Sequence, residues 1–170
     1  EIAVQHGVIT HEVHEHHEGH HHHETFISKY VFSQDHKMIA KQFLITGMIW
    51  AIIGGLMSVL FRIQLGYPEL TLPWLEDIFG HWAKDGKIQP EFYYALGTMH
   101  GTILIFFVLT AGLSGTFANL LIPYQIGARD MASPFMNMLS YWFFVAASII
   151  LLSSLFVQTG PASGGWTVYP

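Results

Sequence analysis

From Phe92 to its last residue this chain carries only two charged side chains, Arg129 and Asp130, and they stand next to each other. About one residue in four is charged in an ordinary soluble domain, so a stretch this bare cannot face water along its length. It belongs in lipid or in a large apolar assembly. The remainder agrees: of 170 residues, 11% are charged, 51% hydrophobic and 15% aromatic. A soluble monomer does not fit that composition.

The chain has no cysteine, which removes disulfide frameworks, thiolate-held iron–sulfur clusters and thiol nucleophiles. Its formal net charge is −5 and its seven basic residues are scattered. Without a basic stripe, nucleic acid is excluded as a partner.

The first 24 residues hold nine of the twelve histidines (His6, His11, His14, His16, His17, His20, His21, His22 and His23) among Glu12, Glu15, Glu18 and Glu24. So little of this segment is apolar that burial cannot offset its chain entropy, which predicts a disordered tail. It lacks the basic start and continuous apolar run of a signal peptide. The sequence divides into a His-rich tail over 1–32 and a membrane unit over 33–170.

Gln42 to Phe61 is uncharged and bracketed by Lys41 and Arg62. About 20 apolar residues span a bilayer core of roughly 30 Å, which predicts a first transmembrane helix. Gly47, Ala51, Gly54, Gly55 and Ser58 fall three and four apart on it, so one face is flat enough for a helix or a planar ligand to approach closely. Pro68, Pro73 and Pro90, mixed with charges, make Gly66 to Glu91 an aqueous loop with a short helix near Leu75 to His81. A second transmembrane helix follows from about Tyr93 to Leu121. After a hydrophilic corner at Gly127 to Asp130 comes a third, Met136 to Val157, ended by Gly160 and Pro161. The fold class is an all-α membrane protein. Lys29, Lys37, Lys41 and Arg129 on the tail side outnumber Arg62, Lys84 and Lys87 by one, which leans towards a cytoplasmic tail.

His100 is the most informative single residue. It lies two turns inside the second helix, some 10 Å at 1.5 Å per residue, where an ionisable side chain is expensive and by default functional. A neutral imidazole offers one lone pair to a metal or a heme iron, while its other nitrogen needs an acceptor to fix the ring. Gly97 and Gly101 remove bulk beside it, and Leu96, Ile103, Leu104 and Phe107 could form an apolar wall for a porphyrin. The alternative is a histidine that merely ties two helices together, and one histidine does not name a metal.

Asp130, Asn119 and Asn137 form a second constellation. A carboxylate at the membrane edge can collect protons, and uncharged amides can order waters inward without trapping the proton. The competing reading is an ordinary turn with Asp130 solvated or paired to Arg129. Arg62 could snorkel to the interface. The tail could bind copper, zinc or nickel loosely.

MHGTILIFFVLTAGLSGTFANLLIPYQIGARDMASPFMNMLSYWFF, followed by GGWTVYP, resembles the second and third helices of the catalytic subunit of the heme-copper oxidases, in particular cytochrome c oxidase subunit I. DHKMIAKQF and SVLFRIQLG resemble the two ends of that subunit's first helix. The resemblance runs from about Ser33 to Pro170. It implies that these three helices begin a bundle of roughly twelve. His100 would then be an axial ligand of a low-spin heme, heme a being expected, with Arg62, Ser58 and Tyr93 facing its edge and Gly165 and Trp166 near its propionates. Asp130 would open the proton-input pathway, with Asn119 and Asn137 ordering its first waters. The high-spin heme, the copper, the second heme ligand and the later proton residues would be held by the remainder of a longer subunit. One local departure is Phe43, which stands where many members have a tyrosine hydrogen-bonded into the proton pathway.

The implied activity is that of a terminal respiratory oxidase reducing oxygen to water and translocating protons. It would sit in the cell inner membrane with its tail cytoplasmic, among other oxidase subunits, taking electrons from cytochrome c. Two alternatives remain open: a quinol-oxidising member of the same family, and a membrane metal-ion transporter suggested by the histidines.

Overall fold

The computed structural model describes residues 26–157, 159–161 and 164–166. Most of the His-rich tail and the end of GGWTVYP lie outside the described residues. Within the segment read as the tail, Phe26–Tyr30 forms a short helix, α1. Its Phe26 and Tyr30 rings lie one turn apart at 4.9 Å, an aromatic pair that the histidine-rich residues before it do not offer.

Three helices are long and apolar enough to cross a membrane, as expected. The first, α2, spans His36–Gly66, longer at both ends than its uncharged stretch. Asp35 starts it from an extended conformation, its carboxylate accepting the Lys37 N–H at 3.1 Å, which satisfies one of the donors that a helix start leaves free. The loop holds a second short helix, α3 (Trp74–Phe79), and adds a two-stranded antiparallel hairpin of β1 (Ala83–Lys84) and β2 (Lys87–Ile88). Asp85 and Gly86 turn it with φ of 55° and 70°, the left-handed pair that a two-residue hairpin favours. A side chain at Gly86 would also strike the Leu72 backbone at 2.9 Å, so this glycine is required twice over.

The second spanning helix, α4, runs unbroken over Pro90–Ile126. Proline at its first position suits a helix start. Its middle, Ile103–Leu113, widens to π-helical bonding, i to i+5. Gly127 ends it in the left-handed conformation, and the N–H of Ala128 reaches the Pro123 carbonyl at 2.9 Å. Pro123 lies inside α4, where its ring removes the N–H that the Asn119 carbonyl would otherwise accept. The third, α5, covers Pro134–Ser153, followed by a 3₁₀ turn at Ser154–Phe156.

The seam between α2 and α4 holds the bundle. Ile39, Phe43, Trp50 and Met57 of α2 are buried against Phe92, Ala95, Leu96, Met99 and Ile103 of α4, with Phe144 of α5 joining them. Two glycines let the backbones meet: a Cβ at Gly47 would stand 3.1 Å from the Gly112 Cα. Small residues at crossing points bring helices this close in membranes. The flat face expected of α2 is therefore divided. Gly47 and Gly54 are covered by α4, while Gly55 opens onto space. Outside this seam α2 presents Ile45, Met48, Ile49, Ile52 and Leu56 to the surroundings, an apolar flank suited to lipid or to further helices.

Candidate functional site

The first site is a groove beside His100. His100 and Leu104 stand one turn apart on α4, and both reach Gly54 of α2. The His100 Nδ1–H donates to the Gly54 carbonyl oxygen at 2.8 Å. That bond fixes the ring and the tautomer, leaving the Nε2 lone pair with no protein partner among the described residues. A Cβ at Gly97 or Gly101 would meet nothing within 4 Å, so the helix surface beside the imidazole is open at both positions. An anchored ring, a free nitrogen and a gap free of side chains are what a flat macrocycle with an axial ligand requires. The residues present fit a heme.

The other residues expected here divide into two groups. Tyr93 comes near His100 through a residue the sequence reading missed: Phe61 sits edge-on to both rings, with centroids 5.7 Å apart in each pair. Phe61 precedes Arg62 in the SVLFRIQLG stretch, and that adjacency was the available signal. Ser58 is buried and Arg62 exposed on α2, one and two turns beyond Gly54. Gly165 and Trp166 do not join them. Gly165 approaches Thr98, and Trp166 packs edge-on to Phe106 at 5.8 Å; Thr98 is about 200° around the helix from His100. Leu96 and Ile103 are fully buried in the seam, so the apolar wall expected of them faces α2 and not the gap.

The second site is the corner between α4 and α5. Asp130 Oδ1 accepts the Met131 N–H at 2.7 Å and the Nδ1–H of His36 at 3.0 Å. The aspartate side chain is 43% exposed and the histidine 8%, so the pair joins bulk water to the interior. Asp130 is thus held by His36 and not by Arg129. His36 was missed because 94 residues separate the two. Asn119 and Asn137 do meet. The Asn137 amide donates to Asn119 Oδ1, and the Asn119 amide donates to the Gly115 carbonyl at 2.8 Å. Asn119 is 3% exposed, and its polar atoms are supplied by these two bonds. The corner can take up protons at a carboxylate and pass them towards uncharged amides. Among the described residues, no three His, Cys, Asp or Glu side chains gather into a metal site.

The sequence profile described as "Cytochrome C and Quinol oxidase polypeptide I" matches residues 38–170. The chain belongs to the heme-copper oxidase subunit I family. A protein called "Alternative cytochrome c oxidase subunit 1" from Bradyrhizobium diazoefficiens is 41% identical over 143 residues, covering 84% of this chain and 22% of that protein. "Cytochrome c oxidase subunit 1" from Thermostichus vulcanus is 39% identical over 141 residues, 83% of this chain and 22% of the relative. "Heme-copper oxidase subunit I+III" from Aeropyrum pernix is 33% identical over 144 residues, 85% of this chain and 16% of the relative. The oxidase chain thus spans about a fifth of the length of the relatives it matches. It is a multi-pass membrane protein of an oxidoreductase family.

Proposed function

We propose that this oxidase chain supplies one axial ligand of a low-spin heme, through His100, and the entrance of a proton-input pathway, through Asp130. Both belong to a terminal respiratory oxidase that reduces oxygen to water and translocates protons. The observation that carries the reading is the His100 ring, anchored through Nδ1 to the Gly54 carbonyl beside an open gap. Once bound, the heme supplies reversible one-electron transfer at iron. The chain's own residues do the rest. Gly54 holds the imidazole so that Nε2 presents its lone pair, Gly97 and Gly101 leave room for a flat group, and Phe61 with Tyr93 closes one side. Arg62, Ser58, Gly165 and Trp166 remain candidates for the heme's periphery, of which Arg62 and Ser58 share α2 with Gly54.

At the other end Asp130 takes protons from the aqueous edge, His36 holds its carboxylate, and Asn119 and Asn137 order water without retaining charge. In this reading the tail side faces the cytoplasm of a cell inner membrane. Electrons come from cytochrome c, the donor named in several relatives, or from a quinol. Other oxidase subunits surround the chain, heme a is the expected heme, and the remainder of the subunit holds the high-spin heme and copper. The test is His100→Ala in the complete purified oxidase. The low-spin bis-histidine heme bands should disappear from the visible spectrum, and an unchanged spectrum removes the assignment.

A further inference from the structure

A pair of hydroxyls lies deeper in the membrane than the Asp130 corner. Tyr141 Oη of α5 and Thr46 Oγ1 of α2 lie 2.9 Å apart, and either can donate. Tyr141 stands one turn beyond Asn137 on the same face of α5. From the aqueous edge inward the polar groups therefore follow in order: Asp130 with His36, Asn119 with Asn137, then Tyr141 with Thr46. Between the last two pairs the bundle is mostly apolar, and the buried Thr116 hydroxyl there donates to the Gly112 carbonyl at 2.6 Å. Phe43 is 6% exposed, packs edge-on to the Tyr141 ring at 5.2 Å and stacks on Phe144 at 5.5 Å. Its ring also fills the space at Gly115. Protons arriving from the amides have to pass beside Phe43, along the flank of α5 that carries both Asn137 and Tyr141, each half-buried. An interhelical hydrogen bond in lipid adds little to stability, so packing alone is a weak reason for two hydroxyls here.

We propose that the Tyr141–Thr46 hydroxyl pair is the next proton-transfer station inward from Asn119 and Asn137. This rests on the proton-input reading of Asp130. A hydroxyl oxygen accepts a proton from water on the Asp130 side and releases its own on the far side. One O–H bond forms as another breaks, so neither residue ends ionised and no charge stays in the hydrocarbon. Either oxygen can donate, so reversal of the hydrogen bond resets the pair after each passage.

The experiment follows proton uptake from the tail side in a single turnover of the complete oxidase, with the heme spectrum recorded alongside. Tyr141→Phe and Thr46→Val should each slow uptake about tenfold, with a larger solvent isotope effect. The double variant should be no slower than either alone, since both break one link. Thr46→Ser, which keeps the hydroxyl, should restore uptake, and the spectrum should stay unchanged throughout. Uptake at the original rate in Tyr141→Phe and Thr46→Val overturns the proposal. So does a Thr46→Ser variant as slow as Thr46→Val, since keeping the hydroxyl would then not sustain uptake. If Tyr141→Phe fails to assemble, the nearly isosteric changes at Thr46 decide alone. Asp130→Asn in the same assay separates the two levels. Normal uptake there sinks the proton-input reading itself, whereas slow uptake there with normal uptake in Tyr141→Phe sinks only the hydroxyl station.

Discussion

The groove beside His100 and the corner at Asp130 are built in opposite ways. In the groove, one side chain hydrogen-bonds a backbone carbonyl, His100 on Gly54, and the rest of the design is the removal of bulk at Gly97 and Gly101. At the corner, side chain meets side chain across three helices: His36 with Asp130, and Asn119 with Asn137. Under the proposed function, the difference follows from what each end would handle. A rigid planar group needs a fixed ligand and vacant space, so glycine and a backbone acceptor suffice. A mobile proton needs a series of polar groups, each kept soluble in lipid by its neighbour.

Filling the groove should give the largest effect. A Cβ at Gly101 would meet no protein atom within 4 Å, and replacing glycine within a helix by a better helix former favours folding by up to about 1 kcal/mol. Gly101→Leu should therefore leave the three helices packed as well as before or better. In the assembled oxidase it should abolish the low-spin heme bands, as His100→Ala does. Full heme incorporation in that variant, measured by spectrum and heme content, would mean that the open space serves something else.

Glycines on the seam should respond the other way. Gly112 faces the Gly47 Cα at 3.0 Å and the Phe107 carbonyl at 2.9 Å from its Cβ position, so even a methyl group forces the backbones apart. Gly112→Ala should lower stability by about 1 to 3 kcal/mol, the usual range for overpacking. That change would be read as an earlier thermal loss of helicity in detergent, with the heme spectrum intact at low temperature. The two substitutions together ask whether the small residues of this chain serve packing and ligand space separately. An equal loss of stability in both variants would deny that division.

The two ends also differed in how far they could be read from the chain. His100, Gly97 and Gly101 lie within five positions, and helical spacing alone puts them on neighbouring faces. Three spanning helices followed from runs of uncharged residues, because lipid leaves few alternatives. What escaped is contact between distant segments: His36 with Asp130, Thr46 with Tyr141, and Phe61 between Tyr93 and His100. Periodicity marks which face of a helix is special but not which helix it meets. The extension of α4 to Ile126 escaped for a related reason. Pro123 and Asn119 look like a helix end in sequence, yet the bond from Ala128 to the Pro123 carbonyl carries the helix to Gly127. Leu96 and Ile103, four before and three after His100, do share its side of the helix, but spacing did not show that α2 covers them.

The smallest effect concerns His36, and it tests whether the corner works as a pair. His36 donates to Asp130 from a nearly buried position, and Asp130 keeps a second donor in the Met131 N–H. Removing the imidazole should therefore loosen the carboxylate without abolishing its role. His36→Gln retains a donor of similar reach but cannot carry charge. It should slow proton uptake a few-fold, well short of Asp130→Asn, and leave the heme spectrum unchanged. In the double variant with Asp130→Asn the histidine change should add nothing further, because its partner is already lost. Additive losses would show that His36 handles protons independently of the carboxylate, and the contrast between a one-residue groove and a two-residue corner would have to be redrawn.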